Sequence, residues 1–235
     1  MSPVQLPLPV ALPDGACFAN FVEGRNPEAV QTLQGLVHSN ERFVYLWGAA
    51  GTGKTHLLHA TCQHAAEQHT TAAYLPLAEA DTISPAVLES LEHLDVVSID
   101  DIQAIAGRPE WETGLLHLYN RIRDSGTHLR VTGNAAPAEL GLALRDLSSR
   151  LSWGLIFQLH PLNDENKLRA LQLRARSRGM DLPEEVGRYL LHHWPRAMPK
   201  LFELLQHLDI GSLAQQRKLT IPFVRELIKR GSPLK

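Results

Sequence analysis

Residues 48–55 read GAAGTGKT, and they follow directly on the run RFVYLW at 42–47. Every fixed position of the pattern Gly-x-x-x-x-Gly-Lys-[Ser/Thr] is met, by Gly48, Gly53, Lys54 and Thr55. RFVYLW is β-branched and aromatic and stops at a glycine, which predicts a buried strand. A helical pattern starts at Lys54. A strand, a glycine-rich turn and a helix in that order make a phosphate cradle: backbone N–H groups of Gly48, Ala49, Ala50, Gly51, Thr52 and Gly53 turn toward phosphate oxygens. In this pattern Lys54 reaches the β- and γ-phosphates, Thr55 ligates Mg²⁺, and His56 closes the nucleotide-binding run. The cofactor implied is ADP or ATP with Mg²⁺, and the cradle alone does not choose between them.

Working outward, four further runs predict strands: TAAYLPL at 71–77, LDVVSI at 94–99, HLRVTG at 128–133 and GLIFQL at 154–159. Pro76 weakens the first by removing a ladder donor. Between them lie helical patterns, one from Pro109 with Trp111, Leu115, Leu118, Tyr119 and Ile122 on one face and a stop at Gly126. Strands alternating with helices predict an α/β domain with a five-stranded parallel sheet. After His160 only helix signals remain: a cap at Asn163 or Asp164, a stop at Gly179, and starts at Pro183, Pro199 and Thr220. The expected organisation is an N-terminal peptide at 1–16, a nucleotide-binding α/β domain at 17–160 and a small all-helical domain at 161–235.

A phosphate cradle needs an acid for its metal. VVSIDD supplies Asp100 at a strand end, to hold Mg²⁺ through water, and Asp101 beside it, to polarise an attacking water. Ser98 interrupts the apolar run.

The composition excludes other classes. A net charge of -2 gives no basic field for a nucleic-acid backbone. No apolar run has the length of a membrane span, and the N-terminus lacks the basic start of a signal peptide. Cys17 and Cys62 share no short spacing and read as buried thiols of a reducing, cytoplasmic compartment. His56 and His59, or the adjacent His192 and His193, lack zinc-site spacing.

GAAGTGKTHLLHA, SIDDIQ, SSRLSWGL and FANFVEG, in their order along the chain, resemble the AAA+ core of the bacterial replication initiator DnaA. The resemblance runs from about Phe18 through the helical lid. It implies base-side contacts by Phe18, Asn20, Phe21 and Val22, a sensor 1 role for Asn134 with Thr132 as the alternative, and an arginine finger at Arg150. Such a finger acts on the ATP of a neighbouring subunit, where it stabilises charge on the transferred phosphoryl group. One position departs from the family: the sensor 2 arginine is replaced by Pro199, with Lys200 beside it and Arg196 one turn earlier as stand-ins. The departure implies that ATP hydrolysis by this chain is at most weak and that ADP is held as a structural ligand.

The initiator's DNA-reading domain has no counterpart before Lys235; the basic stretch QQRKLTIPFVRELIKRGSPLK is too short for one. The opening residues QLPLP resemble peptides that bind the bacterial sliding clamp, with Gln5, Leu6, Leu8 and Pro9 as contacts. An extended, proline-stiffened peptide loses little entropy on docking. The combination implies a DnaA-family regulator with two partners, the β subunit clamp of DNA polymerase III and DnaA itself, reaching DNA only through the clamp. It would stimulate hydrolysis of ATP on DnaA in trans and prevent re-initiation. The finger's partner is another protein or a second copy of this chain, and no membrane is involved. The competing expectation is a stand-alone AAA+ ATPase or helicase-loader-like protein.

Overall fold

The structure is a computed structural model that describes residues 15–35, 41–215 and 217–230. The peptide with Gln5, Leu6, Leu8 and Pro9 lies outside the described residues. The chain forms two compact units. Of the described residues the first holds 15–19, 28–35, 41–48 and 54–158; the second holds 20–27, 49–53, 159–215 and 217–230.

In the first unit, strands β1 (Phe43–Trp47), β2 (Ala72–Pro76), β3 (Val96–Asp100), β4 (His128–Gly133) and β5 (Leu155–Gln158) form one sheet in the order β2-β3-β4-β1-β5, with every pair parallel. Pro76 sits in β2 at the sheet's edge, where its missing N–H costs least. β3 is buried along its whole length. Ser98, in the middle of the strand, receives the Cys62 thiol at 3.4 Å, so the interruption of the apolar run is satisfied inside the fold. Neither Cys62 nor Cys17 is in a disulfide, and both are half-buried rather than fully buried as expected from the sequence.

Helices α1 (Pro27–Gln34), α2 (Lys54–Glu67), α3 (Pro109–Ser125) and α4 (Arg145–Leu151) belong to this unit. Trp111, Leu115, Leu118, Tyr119 and Ile122 of α3 are at most 2% exposed and pack into one cluster with Val97, Ile99 and Val131 of the sheet. Gly126, in a left-handed conformation at φ +95°, ends α3 as a C-terminal cap. The register pairs Trp47 with Gly133 and Ile99 with Val131. The carboxyl ends of β1, β3 and β4 therefore bring Gly48, Asp100 and Thr132 to one edge of the sheet, where open α/β sheets bind ligands.

The second unit carries α5 (Asp164–Ser177), α6 (Glu184–His193), α7 (Met198–Gln215) and α8 (Ile221–Arg230) around a core of Leu171, Val186, Leu190, Leu201 and Phe223. Asn163 caps α5, its side chain accepting the Asn166 N–H at 2.9 Å. Residues 20–27 join this unit through Asn26. Its amide donates to the His160 carbonyl at 3.1 Å and accepts the His160 N–H at 2.7 Å. Among the described residues no helix is long and apolar enough to cross a membrane.

Candidate nucleotide site

The phosphate-binding run has the backbone the chemistry requires. Gly51 and Gly53 hold φ of +80° and +96°, conformations that side chains rarely adopt. The Thr52 N–H and hydroxyl both reach the Ala49 carbonyl, at 3.4 and 2.9 Å, closing the turn. Lys54 starts α2 at 8% exposure, and its Nζ donates to the Gly48 carbonyl at 2.8 Å, folding the side chain back over the loop. Burial pulls the Lys54 ammonium below the ordinary lysine range, with Asp101 and Asp100 opposing that shift.

The acids lie in the first unit. Asp100 is 2% exposed and accepts three hydroxyls. Thr55 at 2.7 Å and Tyr74 at 2.8 Å both reach its Oδ2, and Thr132 reaches Oδ1 through a short bond. A buried carboxylate is tolerable only when its oxygens are satisfied in this way. Tyr74 in turn lies against the buried ring of His59, centroids 4.0 Å apart. Asp101 adopts a left-handed conformation, φ +57° and ψ +52°, at the exit of β3; such strain in a non-glycine residue marks functional positions. Its N–H donates to Thr132 Oγ1 at 3.0 Å, and its Oδ1 accepts from the Gln103 amide at 2.8 Å. Gln103 Oε1 takes the Asn134 N–H at 3.1 Å.

Of the two sensor 1 candidates, Thr132 is thus fully buried and bonded to both acids' residues, whereas Asn134 is exposed and meets this network through its backbone. The Tyr45 hydroxyl donates to the Ala135 carbonyl at 2.8 Å and holds the turn that carries Asn134. Phe18, half-buried, sets its ring edge-on to His64 at 5.7 Å, and His56 Nε2 meets the Cys17 carbonyl at 3.0 Å.

In the second unit, two rings press on the loop. A Cβ on Gly53 would lie 2.5 Å from Cε2 of Phe21, and one on Gly51 would lie 2.7 Å from Cδ of Pro199. Val22 is buried at 8% exposure. Pro199 is therefore an apolar ring laid on this loop. The neighbouring cations have carboxylate partners: Lys200 pairs with Glu203 at 2.8 Å, and Arg196 pairs with Asp164.

Arg150 lies in the last turn of α4, half-buried, with its guanidinium 4.3 Å above the Trp153 ring. Trp153 is 50% exposed. Among the described residues Arg150 has no carboxylate partner. Sequence reasoning missed Tyr74, Gln103 and Glu112, whose roles depend on contacts distant in the chain; no local spacing marks them.

A parallel sheet with β1 beside β4, a phosphate loop between β1 and α2, an acid at the end of β3 and a helical unit after β5 define a P-loop AAA+ protein. Two families match the chain: the bacterial DnaA ATPase domain over residues 12–158, and the lid domain of Hda over residues 164–228. The chain belongs to the bacterial DnaA ATPase family and is an Hda-like, DnaA-related AAA+ protein. Domain III of the Thermotoga maritima initiator DnaA superposes with a TM-score of 0.81 at 22% identity, over 94% of this chain and 98% of that one. AMPPCP-bound DnaA from Aquifex aeolicus gives 0.70 at 20% identity, over 88% and 70%. The Thermotoga maritima RuvB branch migration motor gives 0.64 at 14% identity, over 87% and 69%. At these identities the superpositions establish the shared fold.

Proposed function

We propose that this chain is a nucleotide-loaded regulator of the initiator DnaA. It presents Arg150 to ATP bound by DnaA, stimulates its hydrolysis, and so prevents a second round of initiation. The observation that carries this reading is Arg150 itself: a guanidinium held on the Trp153 face, without a carboxylate partner among the described residues, in a DnaA-family fold. Such a group suits a charge that develops outside the chain. Clamp binding through Gln5, Leu6, Leu8 and Pro9 supplies the route to DNA in this proposal.

The chain's own cradle holds ADP or ATP with Mg²⁺. The residues fit both groups: glycine N–H groups at positive φ suit phosphate, and the Thr55 hydroxyl with the Asp100 carboxylate forms a hard-oxygen set. A bound Mg²⁺ would supply positive charge to offset that of the phosphates. In this reading Lys54 would meet the phosphates, and Thr55 with Asp100 would hold the metal. Pro199 offers no charge to a γ-phosphate, which favours ADP as the resident ligand and makes the chain a weak ATPase at most.

The complete acid pair, with Asp101 strained at the exit of β3, favours one second reading, a stand-alone AAA+ ATPase or helicase-loader-like protein. Hydrolysis of labelled ATP carried by DnaA, measured with DNA-loaded clamp, separates the two. The regulator reading expects strong stimulation, lost in both Gln5→Ala and Arg150→Ala. A chain that binds nucleotide without stimulating DnaA leaves the stand-alone ATPase.

A further inference from the structure

We propose that Glu112 is a positioning residue for Arg150, tying the loop that leaves Asp101 to the helix that carries the finger. The proposal rests on the trans-acting reading above. Glu112 sits in the first turn of α3 and is fully buried. Its Oε1 accepts the N–H of Gly107 at 2.7 Å and of Ala143 at 3.1 Å, and its Oε2 accepts the N–H of Leu144 at 2.7 Å. One carboxylate thus satisfies backbone donors from two loops.

The first loop begins at the acids. Asp101 leads into a 3₁₀ turn at Ile102–Ile105, anchored by Ile102 and Ile105, both fully buried. Gln103 in that turn links Asp101 Oδ1 to the Asn134 N–H. Two residues past the turn comes Gly107, whose N–H meets Glu112.

The second loop leads into α4. Leu144, the residue before α4, has no side chain capping the helix, so the backbone there is held by Glu112. α4 is seven residues long, about 10 Å at 1.5 Å per residue, and is pinned to the core by Leu147 and Leu151. A rod this short carries a shift at Leu144 on to Arg150 in its last turn. The state of the loop after Asp101 and the aim of the finger therefore share one carboxylate.

Glu112→Gln tests this with little change of shape. The amide keeps one acceptor and sets an NH₂ group against a backbone donor. The assay is stimulated hydrolysis of DnaA-bound ATP with DNA-loaded clamp, with Arg150→Ala as the benchmark. A second readout is the ¹⁹F spectrum of the 5-fluorotryptophan-labelled chain, with the Trp153 line assigned through Trp153→Phe. Displacing a reacting group by about 1 Å costs on the order of 100-fold, so the maximal stimulated rate is expected to fall at least about tenfold. The half-saturating concentration of the chain stays within about twofold, since docking is untouched, and the Trp153 line moves as it does in Arg150→Ala. Stimulation equal to the parent with the Trp153 line in place overturns the proposal. If Arg150→Ala itself still stimulates, the trans-acting reading falls, and the Trp153 line alone decides whether Glu112 positions Arg150. If Glu112→Gln does not fold, Ala143→Pro removes one of the three donors at an exposed residue. A displaced Trp153 line there supports the tie and an unmoved one overturns it.

Discussion

The hydroxyl of Thr55, at the end of the phosphate loop, donates to Oδ2 of Asp100, at the end of β3, across 2.7 Å. Two residues far apart in the chain meet because α2 begins where β1 stops and β3 runs two strands away in the same sheet. The pair sets an alcohol and a carboxylate side by side, an oxygen pair of the kind that suits a hard divalent cation.

Asp100→Asn should separate metal-assisted binding from folding. Three hydroxyl donors face the Asp100 carboxylate, and an amide answers them with one acceptor fewer. Stability should drop by about 1–3 kcal/mol, the cost of leaving a buried polar group unpaired. Calorimetric titration with ADP should show at least a tenfold loss of affinity in Mg²⁺ and a smaller loss in EDTA.

Pro199→Arg replaces the ring on the phosphate loop with a cation. It should shift the preference toward ATP over ADP by about tenfold, equivalent to 1.4 kcal/mol. Competition between the two nucleotides for the purified chain measures it. An unchanged ratio would mean that Pro199 has no part in nucleotide choice.

Trp153→Ala removes the platform under Arg150. Because Trp153 is half exposed, the melting temperature should change little. A cation–π contact at an exposed site contributes about 0.5–1 kcal/mol, so stimulated hydrolysis should fall by several-fold rather than vanish. Paired melting curves and stimulation assays read the two effects separately.

Acid should destabilise the chain through His59 and His128. Burial holds both imidazoles below the ordinary histidine range, so each prefers to be neutral when folded. Above about pH 6.5 the histidines are neutral in the folded and unfolded chain alike, and stability does not depend on them. Below that pH the unfolded chain takes up protons that the folded chain refuses, and stability falls, by at most about 1.4 kcal/mol per pH unit for each histidine. Denaturant melts between pH 7 and 5 should show this slope, and His128→Gln should flatten it.

Much of the fold is legible in local pattern. RFVYLW ends where the loop glycines begin, Gly126 stops α3, and Asn163 opens α5, each through chemistry confined to neighbouring residues. Pro76 reads as a flaw until the sheet order places β2 at an edge. The site is legible only where motif spacing carries it. Glu112 looks like a solvent-facing helix residue, since a buried glutamate is rare without partners, and its partners are backbone donors that no side-chain pattern reveals. Thr132 and Asn134 illustrate the same limit, because strand pairing, which the chain does not spell out locally, brings Thr132 to Asp100.

The central claim is that the finger works on another protein's ATP while the chain's own cradle keeps a nucleotide as a structural ligand. The most direct measurement is a single-turnover one. The chain is loaded with ADP and stripped of ATP, then mixed with clamp on DNA and DnaA carrying γ-labelled ATP, and labelled phosphate is followed. The account predicts release by the ADP-loaded parent and none above the DnaA background with Arg150→Ala. Release that requires ATP in the chain's own cradle, or release undiminished by Arg150→Ala, would contradict it.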